Sequence, residues 1–362
     1  MKYLSEYRDA KLVETLLRKI NKTVTRNWNI MEVCGGQTHG LVRHGILEML
    51  PEKVRMIHGP GCPVCVTPVS LIDKAVELCL HQNVILCSYG DMLRVPGSEI
   101  SLQQARAKGG DVRILYSPLE AVEIAQKNPD RDVVFFAVGF ETTAPANALS
   151  VVRAQQLQLS NYSILSAHVL VPPAMEAIMN DEETQVNGFL AAGHVCTVMG
   201  LREYEPLVQK WKVPVVVTGF EPVDLLEGIL MVVTQLEKGE FRLENQYKRV
   251  VNSDGNKSAV NLIGKVFEYR GRDWRGIGEI PSSGLFVKDE FRDFDALAKY
   301  NLSVQPGLTE KECLSGDVMK GKIKPPECPH FGKDCTPEHP LGAPMVSSEG
   351  ACAAYFQYSM KL

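Results

Sequence analysis

The chain has 362 residues, 45% hydrophobic and 23% charged, with a formal net charge of -4, which is length enough for two or three domains with their own cores. That charge, with no basic stripe and no interleaved aromatics, excludes nucleic acid as an expected partner. The most apolar stretch, LLEGILMVVTQLEKG, carries Glu227 and is too short to span a bilayer, and the charged N-terminus matches no signal or transit peptide, so the expected location is the cytoplasm.

In chain order, roughly residues 5 to 21 read as a helix with no strand of its own to cover. From about residue 28, short apolar runs alternate with helical patterns. The runs NIMEVC, VRMIHG, NVILCSYG and VRILYSP are followed by DVVFFAVGF, YSILSAHV, GFLAAGHV and VPVVVTGF. Amphipathic stretches such as SLIDKAVELCLHQ and PLEAVEIAQKN lie between them. Runs that are apolar throughout suit parallel strands covered on both faces, so the fold class is α/β with two Rossmann-like parallel-sheet domains. A break near KNPDRD divides the eight runs into two groups, predicting one domain over 28–126 and a second over 127–240. Past residue 240 the rhythm stops, and from LSVQPGLTEKECLSG onward the chain is rich in Pro, Gly and Cys. Residues 1–27 with 241–362 are expected to form a third domain.

The unusual loops fall where strands run into helices, which is where open parallel sheets gather ligands. Cys34 closes the first run, and the following GGQT allows a sharp turn before a helix that Thr38 could cap. A helix N-terminus favours the thiolate, the form that binds metal, and His39 could face the same space. The next loop, GPGCPVC, holds Cys62 and Cys65 two residues apart, able to point at one centre or at each other. Ten cysteines in a reducing compartment argue for metal or thiol chemistry rather than structural disulfides. A structural zinc half-site would need a matching pair, and Cys79, Cys87 and Cys196 read as core residues, so Cys62 and Cys65 are a redox or metal-contacting pair. Glu141, Thr142 and Thr143 of VGFETT sit at a strand-to-helix turn, and His194 of AGHVCTVMG lies in an apolar setting. The tail cysteines Cys313, Cys328, Cys335 and Cys352 lack the close CxxC knuckles of zinc sites and favour a [4Fe-4S] cluster.

The segments CGGQTH, GPGCPVC, GFETT, GHVCTVMG and CTPEHPLGAPMVSSEGACAAY, in that order over essentially the whole chain, resemble the HypD family of [NiFe]-hydrogenase maturation factors. The resemblance implies that the third domain carries the cluster. It also implies that the chain is an assembly scaffold, with the small chaperone HypC, for the Fe(CN)2CO unit of the hydrogenase active site. HypE, with HypF upstream, would supply cyanide, and the unit would pass to the hydrogenase large-subunit precursor. Residue by residue, it implies Cys34 as the iron ligand with His39 close by, and Cys62 and Cys65 as the thiol pair near them. Cys313, Cys328, Cys335 and Cys352 would hold the cluster. Two departures stand out: the family's His-Val-Ser motif, preceded by Pro, reads Ala192-Gly-His-Val-Cys196, and Pro344 stands where many relatives have a further Cys.

The leading reading is thus a scaffold with redox function rather than a classical enzyme. Its rival is an iron-sulfur thiol-disulfide reductase acting on a client disulfide, which leaves Cys34 and His39 without a task. A third reading is a zinc-stabilised binding protein.

Overall fold

The computed structural model describes residues 6–304 and 312–358; the parts of the expected third domain at 1–5, 305–311 and 359–362 lie outside the described residues. Each of the eight apolar runs forms a strand: β1 (Trp28–Glu32), β2 (Val54–His58), β3 (Val84–Ser88), β4 (Asp111–Ile114), β5 (Asp132–Gly139), β6 (Tyr162–His168), β7 (Gly188–Ala192) and β8 (Val215–Thr218). Three more follow, β9 (Leu243–Asn245), β10 (Phe267–Trp274) and β11 (Gly278–Val287).

Nine of the strands make two parallel sheets, a five-stranded one in the order β2-β1-β7-β8-β9 and a four-stranded one in the order β4-β3-β5-β6, and β10 and β11 pair as an antiparallel hairpin. This corrects the division at KNPDRD, which lies between β4 and β5 of a single sheet. The chain lays down β1 and β2, crosses to build β3 through β6, then returns to add β7 to the free side of β1. Parallel pairing needs a crossover of sufficient length, not adjacency in sequence, so counting strands along the chain cannot find the boundary.

Alternation along each strand feeds an apolar layer on either face. Met31, Phe189, Val215 and Val217 enter one core of the five-stranded sheet, and Ile30, Met56, Leu190 and Val216 enter the other. Ile85, Phe135 and Ile164, against Leu86, Phe136 and Leu165, do the same for the four-stranded sheet. This is the two-sided burial that continuous apolar runs require.

The expected third domain is also corrected. The leading helix, Ala10–Thr23, capped by Asp9, packs Leu16 and Ile20 with Ile229 and Val233 of the Pro222–Lys238 helix. Beyond residue 240, Ile263, Phe267, Leu285 and Phe291 cover one face of the four-stranded sheet, and Ala343 and Val346 the other. Trp274, Ile280 and Met319 join the five-stranded sheet. The segment fills sheet faces that the crossover helices leave open, and among its described residues Ala354 and Tyr355 pack separately with Val42 in a small cluster. No helix among the described residues is long and apolar enough to cross a membrane.

Candidate functional site

The carboxyl ends of both sheets open on one cleft of about 640 Å3. Gly61 and Pro63 follow β2, Asp91 follows β3, Thr142 and Thr143 follow β5, and His194 follows β7; Glu349 joins them from the tail.

Each residue of CGGQTH has a separate task. Cys34 is the N-cap of the Gly35–Arg43 helix, which therefore begins before Thr38. A Cβ on Gly35 would lie 2.4 Å from Glu349 Cβ, and one on Gly36 would lie 3.2 Å from the Phe220 ring, so both glycines permit close approach beside the thiol. Gln37 Nε2 donates to Thr218 Oγ1 at 2.6 Å and to the Ala191 carbonyl at 3.1 Å, pinning the helix to β7 and β8. The Thr38 hydroxyl donates to Glu32 and does not cap the helix. His39 faces the C-terminal helix Ala351–Tyr358, with Nδ1 3.2 Å from the Ser348 carbonyl and Nε2 3.3 Å from the Tyr358 hydroxyl. The imidazole beside Cys34 is instead His194, whose Nδ1 lies 3.7 Å from Cys34 Sγ. Its ring stacks on Phe220 at 5.1 Å, and Phe220 meets the edge of Tyr247 at 6.1 Å. Arg249 lies over Tyr247 and is held by Asp224 through two hydrogen bonds of 2.6 and 2.7 Å.

The expectation of a dipole-favoured thiolate at Cys34 is corrected. Cys34 is 2% exposed, and burial pushes the thiol well above its ordinary range. The Glu32 and Glu349 carboxylates push the same way, and together these outweigh the amides of Gly36 and Gln37, which pull it down. His194, by contrast, is held neutral by burial down to about pH 4. A protonated thiol thus faces a neutral imidazole.

The GPGCPVC loop presses directly on this turn. Gly35 N donates to the Gly61 carbonyl at 2.9 Å, and Gly59 N to the Glu32 carbonyl at 2.8 Å. Cys62 caps the short Pro63–Val66 helix, and its sulfur is bonded to that of Cys65, with Cα atoms 5.2 Å apart. Of the two sequence alternatives the structure takes the second: these sulfurs close on each other. If the bond is a reversible dithiol, thiol counting should find two more thiols in reduced than in oxidised protein. An unchanged count would show that the pair is inert.

In GFETT, Thr142 and Thr143 line the cleft, but Glu141 is wholly buried. Its Oε1 accepts from Val171 N at 2.9 Å, and burial pushes its carboxyl up from 4.5 to about 8. Thr143 donates to the Phe140 carbonyl and lies 3.2 Å from His168 Nε2, which Asn147 also approaches at 3.2 Å. The folded chain keeps the Glu141 proton to about pH 8 while the unfolded chain loses it near 4.5, so this group's stabilisation is lost as pH rises through that window. Glu141→Gln, which keeps the acceptor for Val171, should resist urea better than wild type at pH 8, by on the order of a few kcal/mol at most, and little better at pH 5. Equal gains at both pH values would contradict a neutral Glu141.

Cys313, Cys328, Cys335 and Cys352 line one pocket with His330 and Phe331. Cys335 Sγ accepts from Leu341 N at 3.4 Å, and burial with the other three thiols pushes Cys352 up. Among the described residues, no three His, Cys, Asp or Glu side chains converge on a site for one metal ion. Cys79, Cys87 and Cys196 are buried in the cores, as the sequence suggests.

Sequence reading misses Glu32, His58, His168, Phe220 and Glu349. A signal existed for the first three, since each is an ionisable group at the carboxyl end of a strand rich in apolar residues. Phe220 and Glu349 carry no such mark, because only the tertiary fold brings them to Cys34.

A family model named HypD, described as the hydrogenase formation hypA family, matches residues 11–359. The chain is 48% identical to the hydrogenase maturation factor HypD of Azotobacter vinelandii, over 99% of this chain and 97% of that one. It is 45% identical to the HypD of Rhodobacter capsulatus and 43% to that of Escherichia coli strain K12, each over 99% of this chain and 98% of the relative.

Proposed function

The chain belongs to the HypD family of hydrogenase maturation factors, and from that premise we propose that it is an assembly scaffold on which Cys34 holds the iron of an Fe(CN)2CO unit. The observation that carries this reading is the Cys34 turn: a buried thiol 3.7 Å from the neutral imidazole of His194, which lines the cleft, with glycines that let Glu349 and Phe220 approach closely beside it. Iron binding there must release the thiol proton, and the His194 ring lies beside the sulfur that gives it up. The bridged Cys62 and Cys65 offer no free thiolate, and His39 is turned to the C-terminal helix. One ligand from this chain leaves the others to be supplied by a partner, the role proposed for HypC, with HypE and HypF as the source of cyanide.

The four tail thiols fit a [4Fe-4S] cluster. They surround a pocket without converging on one ion's site, and their mutual cost of ionisation is the kind that a bound polycation reverses. Bound there, the cluster would supply one-electron transfer. The Cys62–Cys65 bridge stores two further electrons beside Cys34 when reduced.

The bridge itself favours a second reading, a thiol-disulfide reductase exchanging with a client protein. Mössbauer spectra of protein purified anaerobically with HypC separate the two. A cluster plus a distinct low-spin iron supports the scaffold, a cluster alone supports the reductase, and no iron leaves neither.

A further inference from the structure

A buried chain of hydrogen bonds joins the Cys34 turn to the helix that carries Cys352. Glu32 and His58 are register partners at the ends of β1 and β2. Glu32 accepts the Cys34 amide at 2.9 Å and the Thr38 hydroxyl, and lies 2.8 Å from His58 Nδ1. His58 Nε2 lies 3.1 Å from the hydroxyl of Tyr355, three residues after Cys352 on the same helix. All three side chains are buried. A carboxylate oxygen of Glu32 faces one nitrogen of the His58 ring and the Tyr355 hydroxyl faces the other, so each group fixes the orientation of the next.

We propose that Tyr355, His58 and Glu32 form a positioning relay, which sets the backbone of Cys34 according to how the C-terminal helix is seated. A purely packing role is served as well or better by apolar side chains of similar volume; what a directional polar chain adds is a single orientation of the groups at its ends. The Cys34 end needs it, because no side chain caps the Gly35–Arg43 helix and Glu32 is what holds the Cys34 amide. At the other end, Tyr358 and His39 make a second hydroxyl–imidazole contact, from the C-terminal helix to the Gly35–Arg43 helix itself, so the seating of the C-terminal helix is registered at two points.

The test is the rate of Cys34 alkylation by iodoacetamide in the full-length chain under native conditions, read by peptide mass spectrometry, with the core thiol Cys79 as internal control. Tyr355→Phe removes one hydroxyl and should speed Cys34 alkylation by about threefold or more, the factor for losing one ordinary hydrogen bond, with Cys79 unchanged. His58→Gln, which keeps a donor and an acceptor, should stay near wild type, whereas His58→Ala should match or exceed Tyr355→Phe. A Cys34 rate in Tyr355→Phe equal to wild type overturns the relay. So does acceleration of Cys34 and Cys79 together, which marks general loosening, or equal acceleration in His58→Gln and His58→Ala.

Discussion

Gly61→Ala should be among the most damaging single substitutions in the chain, costing roughly 3 kcal/mol or more and displacing the Cys62–Cys65 loop from Cys34. A Cβ at this position would lie 2.1 Å from Cys34 N, 2.3 Å from Val33 C and 2.4 Å from Cys34 Cα. All three are backbone atoms at the end of β1, and the Cys34 amide is already held by Glu32, so nothing nearby can swing aside as a flexible side chain would. Gly90 lines the same cleft, but a Cβ there would meet only Ile114 Cγ2, at an ordinary 3.6 Å. Gly90→Ala should therefore stay within about 0.5 kcal/mol of wild type. Urea midpoints of the two variants make the comparison. Equal stability would mean that the two loops are not in fixed contact.

Cys328→Ser should lose the brown chromophore and open the pocket lined by the tail cysteines to protease, while both sheets stay folded. The apolar lining of that pocket is a short set, Leu314, Val318, Phe331, Leu341 and Met345, with the Phe331 ring edge against Phe356. A bound cluster would take the place of a core there, as metals do in small domains. Unfolding should not spread, because Met319, Ala343 and Val346 are anchored in the sheet cores. A variant that kept a full [4Fe-4S] spectrum would remove Cys328 from the ligand set.

The strands were legible because buried parallel strands write themselves as apolar runs, and β1 to β8 all fall on such runs. Their partition was not, because the chain leaves the first sheet after β2 and returns at β7, and no local signal marks a crossover between sheets. The β10–β11 hairpin was missed for a different reason: Glu268, Arg270 and Arg272 break the apolar pattern. In the candidate site, spacing pointed to Cys34 and the Cys62–Cys65 pair, since Gly-rich turns at strand ends are local features, and the fold sets the two turns against each other. The histidines were harder to read. His39 is five residues from Cys34 in sequence yet is turned to the C-terminal helix, while His194, far away in sequence, is beside the sulfur. The thiol's protonation was misjudged because a helix N-terminus is visible in sequence, whereas the burial and the two carboxylates that overrule it are not.

The most direct test of the account is the infrared spectrum of the complex with HypC, in the region of cyanide and carbonyl stretches. Cys34→Ser should fold and keep its tail cluster but show none of those bands, while Cys62→Ser should retain at least part of their intensity. Bands at normal intensity in Cys34→Ser, together with their loss in Cys62→Ser, would contradict Cys34 as the thiolate that holds the iron.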